Sequence, residues 1–127
     1  MIELPRRILG HYLQNVTVAY FDPEGLPPDD VSGYAGCVEN MRRLAERFGE
    51  LPVLKLAFEY LLSHPEIDAS AFAGGRYPYD DDEVRDIVRY ARATIWPDAG
   101  PVPERGPDVR LVNLSLQEWR ALRGGHG

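Results

Sequence analysis

Cysteine is nearly absent from the chain: Cys37 stands alone among 127 residues, so no intrachain disulfide can form. Without a disulfide framework, a reducing compartment is the natural setting. A lone thiol among apolar helix positions is a small core residue before it is a nucleophile. Lysine is scarcer still in relative terms, since only Lys55 interrupts the arginines among the 14 basic residues. The base composition of a genome produces that bias as readily as function does, and we give it no weight. Long hydrophobic runs are missing too. No stretch approaches the roughly 20 apolar residues that a helical bilayer span needs. Residues 1–7 contain the early acid Glu3 and no apolar run of signal-peptide length. A cytoplasmic protein with no membrane association is the expectation. Basic charge is in deficit, with 14 Lys and Arg against 20 Asp and Glu and a net charge of −6. A phosphate backbone requires the opposite balance, so direct nucleic-acid binding is not expected. An acidic surface suits a basic protein partner.

What the chain does contain is helical periodicity. Its length fits one globular domain over residues 1–127, large enough to bury a core without metal or disulfide support. Pro5 suits the first position of a helix over residues 5–14, with Ile8, Leu9, Tyr12 and Leu13 on one side, although Gly10 weakens it. Residues 16–21 are β-branched and aromatic and stop at a Pro-Gly turn sequence, which predicts a strand. His11, just before it, is the kind of isolated histidine that packs or lies on the surface. Adjacent prolines at 27 and 28 make a stiff linker into the strongest helix, where Tyr34, Cys37, Val38, Met41, Leu44, Ala45 and Phe48 form an apolar stripe. Gly49 is placed to cap it and Pro52 to start the next helix, which His64-Pro65 stops. The short connection predicts that these two helices pair antiparallel and form the core. Asp68 is placed to cap a short turn through Phe72. A further helix carries Val84, Ile87, Val88, Ala91 and Ile95. After the proline-rich residues 96–108 comes a second predicted strand, 109–114, to pair with the first, and then a capping box at Ser115 and Glu118 opening a last helix with Trp119 and Leu122. The expected fold class is therefore mainly α, of the α+β kind, with a bundle of about four helices and a minor two-stranded sheet.

Residues 76–83, Arg-Tyr-Pro-Tyr-Asp-Asp-Asp-Glu, are the main functional lead. Acids in the first helical turn interact with unpaired amides and with the positive end of the helix dipole, which explains one aspartate. It does not require four consecutive acids beside two tyrosines. Tyr77 and Tyr79 offer large apolar area with little rotamer entropy, and the ring of carboxylates would steer a basic surface onto them. An enzyme is the weaker expectation. Asp80, Asp81 and Asp82 splay apart in a turn or helix start instead of converging with His64 on one metal ion, and no ligand spacing, nucleophile elbow or phosphate-cradling loop accompanies them. No catalytic residue, metal or cofactor is expected.

The run Phe58-Glu59-Tyr60-Leu61-Leu62-Ser63-His64-Pro65, followed by Tyr77-Pro78, an acidic run and Ile87-Val88, resembles the colicin- and pyocin-type nuclease immunity proteins. The similarity covers residues 58–90. Arg76 stands where the family has a first tyrosine, and the flanking predicted strands have no counterpart in its four-helix fold. The resemblance implies a small bacterial inhibitor in which Tyr77 and Glu59 contact a toxin's nuclease domain. Joined to the acidic run, it gives a candidate partner-binding set of Glu59, Tyr77, Tyr79, Asp80, Asp81, Asp82 and Glu83. The expected function is a non-catalytic protein-binding module that occludes a basic, nuclease-like partner. The alternative is an accessory subunit docking through Trp96 and Trp119.

Overall fold

A computed structural model describes residues 2–17, 31–72, 79–102, 109–113, 117, 118 and 121. Within them the order is strand β1 (Ile2–Pro5), helix α1 (Arg7–Thr17), a 3₁₀ turn (Val31–Tyr34), helix α2 (Ala35–Arg47), helix α3 (Leu51–Ser63), a second 3₁₀ turn (Ala69–Phe72), helix α4 (Asp81–Ile95) and strand β2 (Val109–Val112). The fold is mainly helical with a minor two-stranded sheet, as the periodicity predicts. Among the described residues, no helix is long and apolar enough to cross a membrane.

The sheet is built differently from the expectation. β2 forms where predicted, but it pairs with β1, in parallel, with Ile2 opposite Val109 and Pro5 opposite Val112. The predicted first strand begins inside α1: Val16 and Thr17 are helical, and residues 18–21 lie outside the described set. Burial explains the correction. Ile8, Leu9, Tyr12, Leu13 and Val16 share one face and are at most 1 % exposed, a helical stripe that outweighs the β preference of its last members. Thr17 is accommodated by turning its hydroxyl back to donate to the Leu13 carbonyl at 3.3 Å. A parallel pair needs a long crossover, and here the helices from α1 to α4 lie between the two strands in sequence. Leu4 and Val109 face the core, while the register partners Glu3 and Arg110 make an ion pair on the exposed side.

The core is not confined to α2 and α3. Tyr12, Ile8, Leu9 and Leu13 of α1 are among the largest fully buried side chains, beside Met41 of α2, Phe58, Leu54 and Leu61 of α3, and Ile87 of α4. The α2 to α3 corner is a complete Schellman motif. The Glu50 amide donates to the Ala45 carbonyl at 2.8 Å and the Gly49 amide to Glu46 at 3.1 Å, with Gly49 left-handed at φ 67°. Glu50 is thereby carried inward, where its carboxylate accepts from the Tyr12 hydroxyl and joins α1 to the corner. Cys37 is half-buried, and burial pushes its thiol pKa up. Of the expected last helix, Gln117, Glu118 and Ala121 are described and helical, whereas Trp119 lies outside the described residues.

Candidate functional site

The acidic run opens α4 as expected of a cap. The Glu83 amide donates to Asp80 Oδ1 at 2.8 Å and the Asp80 amide donates to Glu83 Oε1 at 3.2 Å, a reciprocal capping box. Three acids, Asp81, Asp82 and Glu83, then occupy the first turn, where the helix dipole favours them.

Asp81 turns away from solvent-directed work. Its Oδ1 accepts from the Ala69 amide at 2.7 Å, and its Oδ2 accepts from Arg85 Nε at 2.8 Å. The Ala69 hydrogen bond and the Arg85 guanidinium hold its carboxyl below the usual aspartate range. Arg85 in turn donates to the carbonyls of Leu61 at 2.6 Å, His64 at 3.1 Å and Ile67. One buried guanidinium thus satisfies carbonyls at the end of α3 and in the following loop, and Asp81 orients it. The Asp81–Ala69 bond clamps the second 3₁₀ turn to the start of α4; Asp68, next to Ala69 in the chain, is exposed, as are Asp80, Asp82 and Glu83. Asp82 has no partner among the described residues.

Two members of the candidate set sit in the interior. Tyr79 is 8 % exposed and belongs to the core; burial, then the neighbouring Tyr34 hydroxyl, drives its pKa far up. Its ring packs the protein and does not project as an interface anchor. Glu59 is also buried, since its position on α3 faces α4. Glu59 Oε2 accepts from Arg92 Nη2 at 2.6 Å, Arg92 Nε at 3.1 Å and Lys55 Nζ at 3.2 Å, while Arg92 Nη1 donates to the Gly100 carbonyl at 2.8 Å. Burial pushes the Glu59 carboxyl up, but the hydrogen bonds from Arg92 and Lys55, with their charges, more than offset it and hold the group below the ordinary glutamate value. Tyr77 lies outside the described residues. The structure therefore leaves Asp80, Asp82 and Glu83 exposed at the start of α4, and it assigns Glu59, Tyr79 and Asp81 to internal contacts.

Asp68 is legible in sequence as a turn cap, and it does accept from the Ser70 amide at 3.0 Å. Its place beside the acidic run depends on a contact between residues 12 apart, which no local pattern reports. Among the described residues no group of three His, Cys, Asp or Glu side chains is arranged to hold a metal ion. His64 stacks on Tyr60 with ring centroids 4.2 Å apart, and its Nδ1 is 2.8 Å from the Tyr60 carbonyl. Trp96 is half-buried and meets the Phe58 ring edge-on at 6.3 Å. No protein-family profile matches the chain, and neither a curated protein nor a solved structure gives a significant match.

Proposed function

We propose that this protein is a non-catalytic binding module of the inhibitor or immunity type, whose acidic edge docks on a basic, nuclease-like partner. The observation that carries it is Asp82, an exposed carboxylate with no partner among the described residues, held between the exposed Asp80 and Glu83 at the start of α4. Like charges gathered on one rigid edge repel one another, and a basic partner would relieve that repulsion. Asp80, Asp82 and Glu83 are the members of the original candidate set that face outward for this role. Glu59 and Asp81 act behind them, by keeping α3, α4 and the intervening turn in register. Tyr77 is retained as a contact from the resemblance alone.

The test is capture from native lysate at low and at high salt with wild type, Asp82→Lys and Asp98→Lys. Asp98 is an exposed acid beyond the far end of α4, so it controls for net charge. The expected result is a basic protein held by wild type and by Asp98→Lys, released by salt, and bound at least about tenfold more weakly by Asp82→Lys. Equal losses for the two variants, or a partner indifferent to salt, would remove the acidic edge as the docking surface.

A further inference from the structure

Lys55 and Arg92 share one oxygen of one buried carboxylate. Glu59 Oε2 lies 3.2 Å from Lys55 Nζ and 2.6 Å from Arg92 Nη2, but the two cations differ in access to water, with the Lys55 side chain 34 % exposed and that of Arg92 only 9 %. Lys55 from α3 and Arg92 from α4 are the charged groups that face Glu59 among the described residues. A further contact makes the arrangement a relay, since Arg92 Nη1 donates to the Gly100 carbonyl. Residues 96–100 form the turn that leaves α4. The Trp96 amide donates to the Arg92 carbonyl at 2.9 Å, the Ala99 amide donates to the Trp96 carbonyl at 3.1 Å, and Gly100 takes the left-handed φ of 74° that a side chain would disfavour. Pro97, Asp98 and Gly100 are exposed, so the turn lies at the periphery of the fold.

We propose that Glu59 is an acid-release latch: placing a proton on its carboxylate frees the Trp96–Gly100 turn from α3 while helices α1 to α4 stay packed. What each cation can do next sets this outcome. A neutral carboxyl still accepts a hydrogen bond, but it no longer balances the two positive charges beside it. Lys55 can swing its ammonium into water on a flexible stem. Arg92 is closed off by the Gly100 carbonyl, and a buried charge left without its partner is strongly unfavourable. Opening the turn hydrates the guanidinium and gives up only the Gly100 bond and the Trp96 contact with Phe58. Separating α3 from α4 instead would expose Phe58, Leu61, Ile87 and Val88, so the local opening is the route of smaller loss. The other buried guanidinium of α4 shows why this site yields first. Arg85 also has one carboxylate, Asp81, yet it keeps the carbonyls of Leu61, His64 and Ile67 when that carboxylate is protonated, whereas Arg92 keeps the Gly100 carbonyl alone. Glu59 is held below the ordinary glutamate value of about 4.3, so the latch is closed above that pH and opens as pH falls through the lower folded value.

The experiment follows indole emission and helical circular dichroism of the whole chain as pH is lowered from neutral, in a Trp119→Phe background that leaves Trp96 as the sole tryptophan. Trp96 emission is expected to shift to the red with a midpoint at least about half a pH unit above that of any loss of helical signal. Glu59→Gln should show the red-shifted emission already at neutral pH, with its helical signal kept. Glu59→Leu with Arg92→Met removes the acid and the buried cation together, and it serves as well where Glu59→Gln fails to fold; its emission should not respond to pH until the helices melt. Coincident emission and dichroism transitions in the parent chain would overturn the latch, because the whole fold would then be yielding at once. An unchanged emission transition in the double variant would overturn it too, and so would abolition of the transition by Asp98→Asn, which would assign it to the exposed acid of the turn itself.

Discussion

Two clusters of arginine and glutamate differ chiefly in where they sit. On α2, Arg42 bridges Glu39 at 2.6 Å and Glu46 at 2.7 Å, with Arg43 also on Glu39, and every one of these side chains is at least one-third exposed. Between α3 and α4, Glu59 and Arg92 meet at the same 2.6 Å with both side chains 9 % exposed. Distance is equal, but water competes for the first cluster and is excluded from the second. The α2 ladder joins residues three or four apart and adds little to a helix that already forms. The Glu59–Arg92 pair joins residues 33 apart and fixes how two helices and the Gly100 turn meet. Similar chemistry thus serves local helix support in one place and tertiary register in the other.

Breaking the buried pair from one side should give the largest effect. Glu59→Ala leaves Arg92 buried without its carboxylate, and we expect a loss of about 3–5 kcal/mol in urea unfolding. Replacing both partners, Glu59→Leu with Arg92→Met, should cost much less than the sum of the single changes, because the buried charge is removed with its partner. A double variant as unstable as Glu59→Ala would mean that the Arg92–Gly100 contact, not the charge pair, holds the region. The pH dependence carries the same sign. Glu59 has a depressed pKa when folded, so its contribution is fully present above the unfolded glutamate value of about 4.3. It is lost as pH falls through the lower folded value. Melting temperatures between pH 3 and 6 should fall more steeply for wild type than for Glu59→Gln.

Arg85→Met comes next, at about 2–3 kcal/mol, since it strands buried carbonyls on Leu61, His64 and Ile67 while keeping most of the side-chain volume. Because Asp81 would also lose its partner, hydrogen exchange should quicken in the second 3₁₀ turn before it does in α1. Uniform quickening across all helices would show that Arg85 supports the whole core and not this corner. Asp80→Ala should cost about 1 kcal/mol, the usual value of a helix N-cap, with fraying confined to the first turn of α4.

These ranks also explain what the sequence made legible. Helices α2, α3 and α4 follow from stripes such as Val38, Met41 and Ala45, and their ends from Gly49, His64-Pro65 and Asp80, all signals within four residues of one another. Residues 16 and 17 misled because β-branched side chains prefer strands locally, and only their continuation of the Ile8–Leu13 face reveals the helix. The partner of β2 is about 107 residues away, beyond any local pattern. At the candidate site, the cap was legible for the same reason that the helices were. Tyr79 looked like a surface ring because its neighbours are charged, yet it lies just before the cap, where the chain enters the core. Arg85 and Arg92 gave no sign of burial because arginine is ordinarily exposed, and only the carbonyls and the carboxylate facing them make their burial affordable.

The smallest effect is the one that sharpens the comparison most. Arg43 is 70 % exposed and meets Glu39 at 3.3 Å. Arg43→Ala removes a charge pair of the same type as Glu59–Arg92, but water replaces the lost contact and alanine favours the helix. We expect a change in melting temperature within about 2 °C, and no change in its salt dependence above physiological ionic strength, where exposed pairs are already screened. A loss approaching that of Glu59→Ala would show that the α2 ladder acts as a cooperative network, and exposure would then no longer explain the contrast between the two clusters.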